Sequence, residues 1–159
     1  LNFGRIRGIA LDVDGVLTDG GFWWSSGGEE LKRFSFRDVM GISIGKRAGI
    51  VFALVSGEDT PITDRFAEKL GIETVHKGCK DKAGAVASFA ASNGFELSDV
   101  CFMGDDVNDL PAIRLAGLSA APADAAAPVL AEVTFVSTQR GGHGAVRELI
   151  DAVIDAKAL

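Results

Sequence analysis

Cysteine is scarce in this 159-residue chain, basic residues are outnumbered, and no apolar stretch is long. Each shortage removes a class of protein. The two cysteines, Cys79 and Cys101, stand far apart without C-x-x-C spacing. They are read as two buried thiols in a reducing compartment. Sixteen Lys and Arg face 22 Asp and Glu, a net charge of −6. The chain therefore lacks the basic face that non-specific nucleic-acid or anionic-membrane binding needs. A small anionic substrate stays open, because one local cation suffices to bind a phosphate. No apolar run reaches the ~18 residues of a membrane span. The N-terminus also lacks the charged and apolar regions of a secretion signal, so the cytoplasm is the expected location. There is no internal repeat and no linker. What remains is one domain over residues 1–159, with 47% hydrophobic and 24% charged residues, as in soluble globular proteins.

Short apolar, β-branched runs alternate with segments of helical period. Residues 8–13, 50–56, 73–76, 100–104 and 134–136 read as strands, mostly without polar alternation, as buried parallel strands do. Residues 40–48, 61–70, 82–92 and 109–116 read as helices. Pro61 and Pro111 suit first turns, and Gly49, Gly71, Gly94 and Gly117 suit C-terminal stops. Ala83, Val86, Ala87 and Ala90 form a small-residue stripe for close packing on a sheet. This alternation predicts a three-layer, Rossmann-like α/β domain with a parallel sheet. One segment, "GFWWSSGGEELKRFSF" at residues 21–36, breaks the rhythm: two β-prone arms flank Ser-Ser-Gly-Gly, which is turn chemistry. Trp23 and Trp24 are adjacent and must point to opposite faces of a strand. A projecting aromatic hairpin points to an oligomer interface or a lid over a site; the alternative is a hairpin folded onto its own domain.

The stretch "RGIALDVDGVLTDG", residues 7–20, carries the chemistry. An apolar run climbs into Asp12 and Asp14 and turns on Gly15. Taken singly, each aspartate is an ordinary turn or cap residue. Ser56 ends the strand "IVFALVS", and Asp105 and Asp106 follow "VCFMG". Lys82 opens the helix after another central strand, and Asp109 suits a helix's first turn. In a parallel sheet all carboxyl ends lie on one edge, where ligands bind. Separate strand ends therefore bring carboxylates, a hydroxyl and an ammonium to one place. Crowded carboxylates repel, and a hard divalent cation resolves the conflict; oxygen-only ligands favour Mg²⁺. Metal-assisted phosphoryl chemistry is the expectation.

"DVDGVLTDG", Ser56-Gly57, Lys82 and "GDDVNDLP" resemble, in order and spacing, the four motifs of the haloacid dehalogenase superfamily. That resemblance implies Asp12 as the nucleophile that becomes an aspartyl-phosphate, and Asp14 as the acid that protonates the leaving alcohol and then activates water. It implies that Ser56 and Gly57 hold phosphate oxygens, with Lys82, chosen over Lys80 by the Gly78-x-x-x-Lys82 spacing, neutralising charge. Mg²⁺ would sit on the Asp12 carboxylate, the Asp14 carbonyl and Asp105, with Asp106 and Asp109 orienting groups around it. Neither gap between motifs can hold a cap domain. "LKRFSFRDVMGI", "GLSAAPADA" and "GGHGAVREL" are similar to the capless subgroup that dephosphorylates 2-keto-3-deoxy sugar acids. In that subgroup hairpins of four subunits build a homotetramer.

The subgroup divides by substrate. Octulosonate 8-phosphate phosphatases usually carry Arg after the Ser/Thr-Gly pair, whereas this chain has Glu58, with Lys69 further along the next helix. Those two residues resemble the nonulosonate 9-phosphate type, so that substrate is the first expectation and the octulosonate the alternative. Glu for Arg reverses a charge beside an anionic sugar acid. In the tail, about residues 138–159, Gly141-Gly142-His143-Gly144 reads either as a flexible turn or as a segment that brings Arg140 or Arg147 to the substrate carboxylate. His143 has no second histidine at ligand spacing, and His76, at a strand end, reads as a core or edge histidine, with a substrate contact as the alternative. A receiver-type signalling domain is disfavoured, since it has no use for an acid two residues beyond the nucleophile. A non-catalytic interaction domain descended from the phosphatases is disfavoured by the intact Asp12, Asp14, Lys82 and Asp105.

Overall fold

The computed structural model describes all 159 residues. Its strands, in chain order, are β1 (Gly8–Leu11), β2 (Trp23–Trp24), β3 (Glu30–Leu31), β4 (Val51–Val55), β5 (Thr74–His76), β6 (Val100–Met103), β7 (Leu118–Ala121) and β8 (Phe135–Val136). Six of them form one sheet in the order β5-β4-β1-β6-β7-β8, every neighbouring pair parallel. Gly8–Leu11 runs between Val51–Leu54 and Val100–Met103 in unbroken register. From β1 the chain builds outward through β4 and β5, then crosses back to β6. The carboxyl end of β1 is thus the switch point, where two connections diverge and leave a crevice.

The helices are α1 (Phe36–Arg47), α2 (Pro61–Leu70), α3 (Lys82–Ser92), α4 (Leu110–Leu115), α5 (Ala127–Glu132) and α6 (Ala145–Lys157). Side chains alternate across a strand, so β1 feeds two cores. Ile9 and Leu11 pack with Ile42 of α1, Phe66 of α2 and Leu149 and Ile150 of α6. Ala10, with Ala53 and Val55, faces Val86 and Phe89 of α3, Ile113 of α4 and Val129 of α5. Layers of helix, sheet and helix result, with no cap domain. The α3 face is Ala85, Val86, Phe89 and Ala90, while Ala87 is exposed, one position off the predicted stripe. The aromatic Phe89 rather than a small residue makes the close contact: a Cβ on Gly8 would lie 2.9 Å from its ring.

Helix boundaries follow local chemistry. Thr60 caps α2 through its hydroxyl, Pro61 begins it, and Gly71 ends it at φ +62°. Helix α1 starts at Phe36 rather than 40, because Ser35 caps it by accepting from the Arg37 N–H. Residues 109–116 shorten to Leu110–Leu115, since Val107–Asp109 forms a 3₁₀ turn first. Gly117 does not stop that helix by a left-handed turn; it permits close approach, as a Cβ there would stand 2.4 Å from Ser98 Cα. Strand β7, "LSAA", has no β-branched residue and carried no strand signal in sequence.

Strands β2 and β3 pair Trp23 with Leu31 and Trp24 with Glu30. Phe22, Trp23, Trp24 and Leu31 are all exposed, so the hairpin projects. No helix is long and apolar enough to cross a membrane.

The glycine-rich tail is a tight dock rather than a loose turn. The Gly142 N–H donates to Val16 O at 3.0 Å, and Arg33 donates to Gly142 O at 3.0 Å. Helix α6 opens on Gly144 without a side-chain cap. Asp38, buried in the first turn of α1, supplies one from outside by accepting from the Arg147 N–H at 3.0 Å. Burial pushes the Asp38 carboxyl above its ordinary pKa despite these backbone donors.

A Cβ on Gly141 would sit 1.9 Å from Gly15 O, whereas Gly49 has φ +86° and open space around it. Gly141→Ala is therefore expected to lower the melting temperature by about 5 °C or more, and Gly49→Ala by about half that or less. Thermal denaturation of the two variants beside the parent checks whether contact outweighs dihedral strain here.

Candidate active site

The loop after β1 places the first acids. The Asp12 N–H donates to Met103 O at 3.0 Å, which extends the β1–β6 ladder by one residue and aims the side chain off the sheet edge. Asp12 is 5% exposed, and its Oδ1 accepts from the Val13 N–H at 2.8 Å. Gly15 then turns the chain at φ +81°, and a Cβ there would lie 1.9 Å from Asp105 Oδ2. Glycine is needed for both the dihedral and the space. Buried Thr18 closes the loop, accepting from the N–H groups of Gly15 and Gly20, each at 3.2 Å.

Lys82 is the first residue of α3, at the positive end of a helix dipole, the wrong end for a cation. Carboxylates explain its position. Its Nζ lies 2.7 Å from Asp109 Oδ1 and 3.1 Å from Asp12 Oδ1, with its side chain 2% exposed. Burial alone would pull the Lys82 pKa down, but the two acids outweigh this and hold it above the ordinary lysine value.

Strand β6 delivers the remaining acids. Asp109 Oδ2 accepts from the N–H groups of Asp105 at 2.9 Å and Asp106 at 3.3 Å, while Asp106 accepts from Val107. A Cβ on Gly104 would stand 2.6 Å from the Asp109 carboxyl, so the glycine in "GDDVND" makes room for this pillar. Burial, then the neighbouring Asp109, pushes Asp105 up to about 7. Burial and then Asp109 likewise raise Asp12 well above the usual carboxylate range, against the pull of Lys82.

Carboxylate oxygens of Asp12, Asp105 and Asp109 lie within 4.8 Å of one another. Asp109 is engaged by Lys82 and two backbone donors, and Asp12 shares that one ammonium, which leaves three acids to a single cation and Asp105 with none. Their oxygen-only chemistry fits a hard divalent cation. The cleft around them, about 350 Å³, is lined by Asp12, Asp14, Glu58, Lys80, Lys82, Asp105 and Asp106 with Gly15, Gly20, Gly57 and Asn108.

The structure does not bring every expected residue here. Ser56 is 1% exposed, and its hydroxyl accepts from the Glu58 N–H at 3.1 Å, so Gly57 and Glu58 are what the β4 end presents to the cleft. Lys69 lies elsewhere, its Nζ 5.8 Å from the Phe36 ring in an apolar pocket between α1 and α2. Arg147 is also outside the cleft, its guanidinium on Asp151 at 2.9 Å. In the other direction, Asn108 and Lys80 line the cleft, and Lys32 of the hairpin reaches Asp14 at 2.9 Å. Asn108 was visible inside the motif, and Lys80 beside Lys82; nothing local in sequence marks Lys32.

The chain is similar to known proteins along nearly its whole length. Residues 71–149 match the family model described as haloacid dehalogenase-like hydrolase. The 3-deoxy-D-manno-octulosonate 8-phosphate phosphatase of Haemophilus influenzae is 38% identical over 153 residues, 96% of this chain and 85% of that protein. Its counterpart from Yersinia pestis is 36% identical, covering 96% and 82%. The Moraxella catarrhalis octulosonate phosphatase, crystallised with a magnesium ion, a phosphate ion and KDO, superposes with a TM-score of 0.95 at 34% identity, over 99% of this chain and 90% of that one. With the four motif segments on one sheet edge and no cap above them, this chain is a phosphatase that belongs to the capless branch of the haloacid dehalogenase superfamily.

Proposed function

We propose that the chain hydrolyses 3-deoxy-D-manno-octulosonate 8-phosphate through an aspartyl-phosphate. The observation that carries the mechanism is the Asp12 carboxylate, buried yet open to the cleft and flanked by Lys82 at the switch point of the sheet. An Asp12 oxygen attacks phosphorus and the ester bond to the sugar oxygen breaks, with Asp14 giving that oxygen its proton. Water, losing a proton to Asp14, then attacks phosphorus and releases inorganic phosphate and free Asp12. Lys82 steadies the charge on nucleophile and phosphoryl oxygens, and the Gly57 and Glu58 backbone lines the opposite wall. The Asp12 and Asp105 carboxylates, with the Asp14 carbonyl, would hold Mg²⁺, which would supply neutralisation of the phosphate's charge. Asp106 and Asp109 hold this shell, Asp109 through Lys82.

Similarity to octulosonate phosphatases over nearly the whole chain supports the eight-carbon substrate above the nonulosonate first expected. Glu58, in the cleft wall, supports a second reading with nonulosonate 9-phosphate. The exposed aromatic hairpin supports a homotetramer, in which Lys69, beside Phe36, and Arg147 would face a neighbour's site.

Asp12→Asn is expected to reduce turnover of p-nitrophenyl phosphate to background while the circular dichroism spectrum is unchanged; measurable turnover removes Asp12 as nucleophile. Metal dependence has a sign in pH. Asp12 and Asp105 bind protons more tightly folded than at the unfolded value of 3.8, so metal-free stability declines as pH rises from about 4 to about 7. Mg²⁺ competes with those protons, so the melting-temperature gain on adding it is expected to be larger at about pH 8 than at about pH 5. Differential scanning calorimetry with and without EDTA measures this, and equal gains contradict it. For the substrate, kcat/KM is expected to favour the octulosonate 8-phosphate over the nonulosonate 9-phosphate, and Glu58→Arg to widen that preference. A reversed order supports the second reading.

A further inference from the structure

Asp14 is held differently from the other aspartates of the cleft. Asp12, Asp106 and Asp109 each accept a backbone N–H, and Asp105 is wedged against Gly15. The Asp14 carboxylate instead meets the Lys32 ammonium at 2.9 Å. Lys32 follows β3 in the projecting hairpin, whose Trp23, Trp24 and Leu31 stand in the open. A lysine in such a place ordinarily carries its ammonium into water. This one turns inward until its side chain is 4% exposed, with Glu30 Oε1 as a second partner at 3.5 Å. Lys32 does not line the cleft and forms no ion pair with Asp12 or Asp105, so its link to the site runs through Asp14.

We infer that Lys32 is a positioning residue for the acid: its ion pair fixes the Asp14 carboxyl toward the leaving oxygen, and so ties proton delivery to the hairpin. The inference rests on the reading of Asp14 as the group that protonates the leaving alcohol. An acid must be within hydrogen-bond reach and correctly aimed, and an aspartate with no backbone donor has several rotamers from which to miss. Lys32 removes that freedom. The same pair would let a hairpin displaced by a neighbouring subunit, or seated by it, change the chemistry without touching substrate.

Leaving groups distinguish aim from general damage. p-Nitrophenolate departs without a proton, whereas phenolate and alkoxide need one. The kcat/KM values for phenyl phosphate and p-nitrophenyl phosphate, taken on one preparation, give a ratio independent of the fraction of active protein. Lys32→Met is expected to lower the phenyl phosphate value roughly 10-fold more than the p-nitrophenyl value. Lys32→Arg, which keeps a cation, is expected to recover part of that ratio, and Lys32→Gln carries the same measurement if the methionine variant is insoluble. Equal losses on both substrates, or no recovery with arginine, overturn the inference. Asp14→Asn separates it from the reading beneath it. A selective loss there with an equal loss in Lys32→Met defeats the role of Lys32 alone, whereas an equal loss in Asp14→Asn defeats Asp14 as the acid.

Discussion

Carboxylates crowded around one buried ammonium constrain the rest of this molecule. Two like charges about 4 Å apart repel by roughly 4 kcal/mol at the effective dielectric of a protein surface, and more deeper inside. Asp12 and Asp109 escape this by sharing Lys82, at 3.1 and 2.7 Å. Local backbone is bent to that need: Gly104 leaves space for the Asp109 carboxyl, Gly15 leaves space for Asp105, and a cation is tolerated at a helix N-terminus. Asp105 is the acid left over. Its pKa near 7 comes from burial and the Asp109 charge, and it marks where further positive charge belongs. The fold around it is arranged to keep a strained set of charges in register.

The sheet explains how much of this was legible in sequence. Asp12 and Asp105 end apolar runs, and apolar runs in alternation with helices become parallel strands whose ends share an edge. Their meeting follows from topology, with no knowledge of side-chain contacts. Lys82 was legible for a related reason, as the opening residue of a helix that follows a strand. Local rules likewise set α2, whose Thr60, Pro61 and Gly71 fix both ends.

What stayed hidden depends on distant partners. Helix α6 is capped by Asp38, 109 residues away, so no local signal marks its start. The tail glycines look flexible in isolation, but backbone of the β1 loop fills the space their side chains would need. Lys32 is an unremarkable hairpin lysine until the hairpin's path places it under Asp14. Ser56 and Gly57 follow directly on β4, as the apolar run implies, yet the hydroxyl turns into its own backbone, and which atom faces the cleft is decided by a turn geometry that sequence spacing does not specify. Strand β7 was missed because its Ala and Ser residues are buried between β6 and β8, where position in the sheet overrides propensity.

The hairpin shows why a capless enzyme can keep a projection of this kind. Leu31 ends β3 with its side chain exposed, while the next residue, Lys32, keeps only 4% of its side chain exposed. Trp23 and Leu31 share one face as a cross-strand pair and Trp24 and Glu30 the other, and Trp23, Trp24 and Leu31 are all exposed, apolar surface of the kind that asks for a partner. Glu30 also meets the Lys32 ammonium that faces Asp14. Trp24 donates to Glu30, and Glu30 meets Lys32, so a chain of polar contacts runs from the exposed Trp24 to the acid. A cap domain would separate the tasks of covering the site and orienting its groups. Here two strands of two residues each carry both exposed apolar side chains and, one residue on, the lysine that meets Asp14.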